Sequence, residues 1–164
     1  MWTIEQLNNS DADQFTNHLG DIFEHSAWIA RKVADARPFK TKQDLQNHMV
    51  GIVQDASLEQ QEQLIKSHPN LGNRLEMSVA STEEQEQAGL QHLNEEEYRQ
   101  FMETNEAYMK KFGFPFIITV RGKNKDEIYL AMKERVNHDR DDEFQTALQE
   151  IYKIAQFRLD EIIL

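Results

Sequence analysis

The chain should fold as an all-α protein, a single compact multi-helix domain with one extended FGFPF-type segment. Three observations predict this. Only three prolines and six glycines occur among 164 residues, and they fall between periodic segments, as in long helices joined by short connections. Apolar residues recur at helical spacing over much of the chain. One stretch, FGFPFIITVRG around Pro115, breaks that period with aromatic and β-branched residues, which suit an extended, buried chain better than a helix.

From the N-terminus, shorter helices are expected around residues 11–19, 26–36, 42–55 and 58–67. In the last of these, Leu58, Leu64 and Ile65 define an inward arc that also takes in His68. The clearest helix spans residues 95–112. Asn94 can cap it, Glu97 stands at its third position, and Tyr98, Phe101, Met102, Tyr108, Met109 and Phe112 form its stripe before Gly113 stops it. The extended segment that follows has no partner strand in a helical protein. Its backbone polar groups must pair with neighbouring side chains and water, or with a ligand. Asn124 with Glu127 then opens a helix carrying Ile128, Ala131, Met132 and Val136. Residues 139–164 make a long final helix with Phe144, Ala147, Leu148, Ile151, Ile154, Ala155 and Ile162 on one face.

At 164 residues and 39% hydrophobic content, the chain can bury one sizeable core. It shows no repeat, low-complexity tract or linker, so residues 1–164 are expected to form one domain. The net charge of −11, from 18 basic against 29 acidic residues, opposes nucleic-acid binding. An anionic ligand would need a well-placed local cation or a helix N-terminus. There is no cysteine, which removes disulfides, thiolate metal sites and cysteine nucleophiles. His18, His25, His48, His92 and His138 make no close metal-ligand spacing, so no metal is expected. No apolar run is long enough for a membrane span, and MWTIEQLNNS is not a basic leader. The ending EIIL is not a peroxisomal tripeptide, and a cytoplasmic location is expected.

Three residues could carry chemistry, each with a plainer alternative. His68 sits at a helix end immediately before Pro69, which restricts the geometry of the residue preceding it. It is either a core or C-capping histidine or an imidazole held for proton transfer. Arg158 interrupts the last apolar stripe, four residues after Ile154 and four before Ile162. It must pair with an internal carboxylate, snorkel to an edge, or bind an anion with its planar fork. Glu84 belongs to Ser81-Thr82-Glu83-Glu84, an S-x-x-E capping box. Facing a cleft instead, it would put an acid beside the free N–H groups of a helix start.

Taken together, FEHSAWIA, SHPNLG, STEEQEQAGL, KKFGFPFIITVRG and IAQFRLDEII resemble, in order and spacing, the 2-oxo-4-hydroxy-4-carboxy-5-ureidoimidazoline (OHCU) decarboxylases of urate breakdown. The resemblance implies an all-helical carboxy-lyase, usually a homodimer, that converts OHCU to S-allantoin with no metal or organic cofactor. It implies catalytic roles for His68, as proton donor, Glu84 and Arg158. It also implies substrate contacts at Pro69, at Ser81, Thr82, Glu83, Glu84 and Gln85, and at Phe116, Ile117, Ile118, Thr119 and Val120, so the extended segment would line the site. Ala27 and Asn70 replace a frequent proline and aspartate of the family, and the stretch between His68 and Glu84 is shorter than usual. Two other classes compete: an acidic helical interaction module without activity, and a hydrolase of a related ureido compound.

Overall fold

The computed structural model describes residues 1–70 and 93–164. In order, these form α1 (Ile4–Asn9), α2 (Ala12–Leu19), α3 (Ala27–Val33) running into a 3-10 turn (Ala34–Ala36), α4 (Lys42–Asp55) and α5 (Leu58–Ser67). Then come α6 (Glu95–Phe112), α7 (Lys125–Arg135) and α8 (Arg140–Ile162). No strand occurs among the described residues; an isolated bridge pairs Trp2 with Ile163. The all-α expectation holds.

Local chemistry accounts for the helix ends. Asn94 and Glu97 form a reciprocal capping box at α6, with Glu97 N–H donating to Asn94 Oδ1 at 2.8 Å and Asn94 N–H to Glu97 Oε1 at 3.1 Å. Gly113 ends that helix in the left-handed region at φ 77°, which glycine adopts without a Cβ penalty. Asn124 accepts from the Glu127 N–H at 2.9 Å and starts α7. Two expectations change. Helix α1 was not anticipated: six residues are too few to show a period, although Thr3 and Gln6 form a readable capping box. The helix expected over 26–36 tightens to 3-10 geometry after Val33.

Two compact units divide the chain: Met1–Ser67 with Tyr152–Leu164, and His68–Ile151. In the first, Phe15, Leu19, Ile29, Val33, Leu45, Met49 and Val53 are buried together with Ala155 and Leu159 of α8. Gln46 Nε2 donates to the Tyr152 carbonyl at 3.1 Å, which ties α4 to the C-terminal turns of α8. In the second, α6 packs on α7. Tyr108, Phe112, Phe114 and Phe116 make a run of ring contacts with centroids 4.6–6.1 Å apart, and Phe144 closes on Phe114 at 6.1 Å. Edge and offset contacts of this kind add to the area term of a core.

Candidate active site

From Phe114 through Val120 every residue is buried and outside any helix or strand. Backbone polar groups there need partners. Arg135 Nη1 donates to the Ile117 carbonyl at 2.7 Å. The Thr119 N–H donates to Glu150 Oε1 at 3.3 Å, and Lys123 Nζ donates to the Thr119 carbonyl at 2.7 Å. Residues 117 and 119 therefore turn their main-chain groups to charged side chains, an alternation that an extended chain imposes. Ile118, between them, turns the other way, and no hydrogen bond joins its N–H or C=O to any described residue. Neighbouring side chains take the Ile117 carbonyl and both main-chain groups of Thr119 on one edge; on the other, the Val120 carbonyl accepts from the Lys123 N–H at 3.0 Å and the Ile118 N–H and C=O stay open among the described residues.

A buried charge network supports the satisfied edge. Glu143, 0% exposed, accepts from Tyr108 Oη at 2.5 Å and from Arg135 Nε at 2.7 Å. Arg135 Nη2 lies 2.5 Å from the same oxygen but off the hydrogen-bond direction. His138 Nδ1 stands 3.3 Å from the second carboxylate oxygen. The Arg135 guanidinium also covers the Phe116 ring at 4.4 Å. Burial first, and donation to the Glu143 carboxylate second, push the Tyr108 phenol well above the ordinary tyrosine range. Its folded form keeps a proton that the unfolded chain releases near pH 10, so this contribution is full below that pH and is lost as pH rises. Unfolding by denaturant should therefore become easier above about pH 10, and Tyr108→Phe should flatten that dependence; an equally steep decline in the variant would refute the assignment.

His68 opens the same unit, directly after α5, and is buried as its inward arc predicts. Pro69 and Asn70 are half-buried. Asn70 Nδ2 donates to Met109 Sδ at 2.8 Å, and Asn105 Nδ2 donates to Asn70 Oδ1. The turn that carries His68 is thus fastened to α6. An aspartate at position 70 could not donate to the sulfur, which gives the asparagine a structural reason.

Arg158 lies in the other unit and realises the internal ion-pair alternative. Its Nη1 is 3.0 Å from Glu24 Oε2 and 3.3 Å from the Ile22 carbonyl, with side chains 5% and 1% exposed for Arg158 and Glu24. The turn presenting Glu24 is unusual: His25 has φ 48°, and Ser26 Oγ donates to the Glu24 carbonyl at 2.9 Å. Positive φ at a non-glycine residue stores backbone strain of a kind often found at functional sites. Ser81, Thr82, Glu83, Glu84 and Gln85 lie outside the described residues.

Sequence reasoning passed over Glu24, Arg135, Glu143 and Glu150. A signal existed for two of them. Glu143 and Glu150 share the apolar face of α8 with Ala147 and Ile154, the same intrusion that drew attention to Arg158. Glu24 interrupts an apolar run but sits in a turn, where no period marks it.

The comparisons with known proteins agree with one another. The sequence model of the OHCU decarboxylase family matches residues 8–160. The chain is 49% identical over 163 residues to the uric acid degradation bifunctional protein PucL of Bacillus subtilis, covering 99% of this chain and 33% of that one. It therefore spans about a third of that bifunctional relative. It is 44% identical over 159 residues to the 2-oxo-4-hydroxy-4-carboxy-5-ureidoimidazoline decarboxylase of Haloferax volcanii, covering 97% of this chain and 95% of the relative. A crystal structure of (S)-allantoin synthase superposes with a TM-score of 0.83 at 30% identity, over 99% of this chain and 54% of that one. A crystal structure of OHCU decarboxylase in the presence of (S)-allantoin gives a TM-score of 0.71 at 25% identity, over 91% and 96%.

Proposed function

The chain belongs to the OHCU decarboxylase family, and from that premise we propose that it is a carboxy-lyase converting OHCU to S-allantoin in urate breakdown. The observation that carries this is the nearly end-to-end match to the Haloferax decarboxylase, with 95% of that relative covered. A buried imidazole at a fixed helix end and a main-chain edge turned away from its supporting side chains suit a small substrate rich in amide groups.

Decarboxylation needs a sink for the electron pair left on carbon. In OHCU the carbon losing CO2 is bonded to the C=N carbon of the ring, so the pair enters that unit as the C–C bond breaks. Protonation of the ureido-bearing carbon on one face then sets the stereocentre. In this reading His68 delivers the proton, a role that an imidazole N–H can fill as general acid. Glu84 orients the imidazole or accepts from the substrate hydroxyl and ureido N–H groups. Arg158 anchors a carboxylate or carbonyl oxygen, and it accelerates the step only by favouring the charge-delocalised transition state over the bound substrate. Pro69 limits the approach to His68. Ser81, Thr82, Glu83 and Gln85, with the main chain of residues 116–120, pair with the remaining polar edges. A homodimer working in the cytoplasm completes the proposal. It rests on the family resemblance and on the absence, among the described residues, of any helix long and apolar enough to cross a membrane.

The test is turnover of freshly generated OHCU, following CO2 release and the circular dichroism of allantoin. Dextro-enriched allantoin forming faster than spontaneous decay, with stoichiometric CO2, is the expected result. A ureido hydrolase would release no CO2, and an interaction module would give no turnover. A melting-temperature rise with (S)-allantoin is expected as well, since a ligand at 100 times its Kd adds about 2.7 kcal/mol to the folded state.

A further inference from the structure

The Glu143 network is more polar than its surroundings require. Its members Tyr108 and Arg135 pack on the rings of Phe112, Phe114 and Phe116, and apolar side chains filling the same volume would serve stability at least as well as a desolvated ion pair. A hydrocarbon cannot, however, aim a donor at a carbonyl. Arg135 does this to one residue and covers the one before it: Nη1 meets the Ile117 carbonyl at 2.7 Å while the guanidinium lies 4.4 Å from the Phe116 ring centre. The orientation of that planar group is dictated by Glu143, through Nε at 2.7 Å. Glu143 is in turn held by the Tyr108 hydroxyl at 2.5 Å. One carboxylate on α8 thereby locks α6, α7 and the extended segment into a single arrangement.

We propose that Glu143 is a positioning residue for the decarboxylation: by orienting Arg135 it fixes the Ile117 carbonyl and the Phe116 ring, and so sets the register of residues 116–120 against the substrate. This rests on the functional reading above, in which that segment contacts OHCU. Because consecutive residues of an extended chain face opposite edges, rotation of the Ile117 peptide carries the Ile118 amide with it. Glu150 and Lys123 hold this edge at Thr119, and Arg135 holds it at Ile117. Loosening Arg135 should therefore tilt the Ile118 edge rather than release the whole segment.

The experiment compares wild type, Glu143→Gln and Arg135→Lys in the OHCU assay at a temperature where all are folded by circular dichroism. Asn94→Ala, which removes the α6 cap, serves as a control that lowers stability without touching the segment. Glu143→Gln and Arg135→Lys should lose about 10- to 100-fold in kcat/KM, the scale of a misplaced but intact site, and should give allantoin of lower enantiomeric excess. Asn94→Ala should melt earlier yet keep both rate and stereoselectivity. Arg135→Lys retains a cation for Glu143 while giving up the directed fork, so it decides the matter if Glu143→Gln does not fold. Wild-type rate and enantiomeric excess in a folded variant would overturn the inference alone. A wild-type chain without turnover would overturn the functional reading and this inference together.

Discussion

Replacing His68 with asparagine is expected to lower kcat by about 10²- to 10⁴-fold, the usual contribution of a positioned proton donor, and to leave the melting temperature close to that of wild type. The ring is buried, and asparagine occupies a smaller volume while keeping a hydrogen-bonding side chain, so the turn should survive. Its neighbour Asn70 stays fastened to Met109 and Asn105 of α6 in the variant. What asparagine cannot do is exchange a proton near neutral pH. The stereochemical readout separates this from a packing effect. If His68 protonates one face of the intermediate, the residual product should approach the racemate of spontaneous decay. Full rate with full enantiomeric excess in His68→Asn would remove His68 from the mechanism.

Arg158→Ala is expected to have the largest effect on stability, a loss of about 3–5 kcal/mol, because truncating one member of a buried ion pair withdraws compensation from the charge that stays buried. Glu24, at 1% side-chain exposure, would be that charge. Loss of activity in this variant alone would thus say little about binding. The informative comparison is the double change Glu24→Leu with Arg158→Met, which removes both charges at similar volume and should recover most of the stability. A folded double variant without turnover, measured beside wild type in denaturant unfolding and in the OHCU assay, is the expected outcome. A folded double variant with wild-type turnover would make the arginine structural only.

Much of this arrangement could be read before any coordinates. Asn94, Glu97 and Gly113 bound α6 where their local chemistry predicts, because capping partners lie within four residues of each other. His68 is buried because it follows the phase of Leu64 and Ile65. The extended character of residues 114–120 follows from proline and β-branched content, which also acts locally. The partners of those groups were not legible. Arg158 announced itself as a charge on an apolar stripe, yet anion binding, snorkelling and ion pairing are equally consistent with that position. The segment's backbone raised the same question, and the side chains that meet the Ile117 carbonyl and the Thr119 main chain are Arg135, Glu150 and Lys123.

Residue type and short-range spacing were enough for the all-α class, most helix limits, the family and the list of candidate residues. Which charges meet depends instead on the packed fold. Glu24 reaches Arg158 across 134 positions, and Tyr108 reaches Glu143 across 35. No local period encodes such pairings; they arise when packed helices bring distant turns together and burial forces every charge to find a partner.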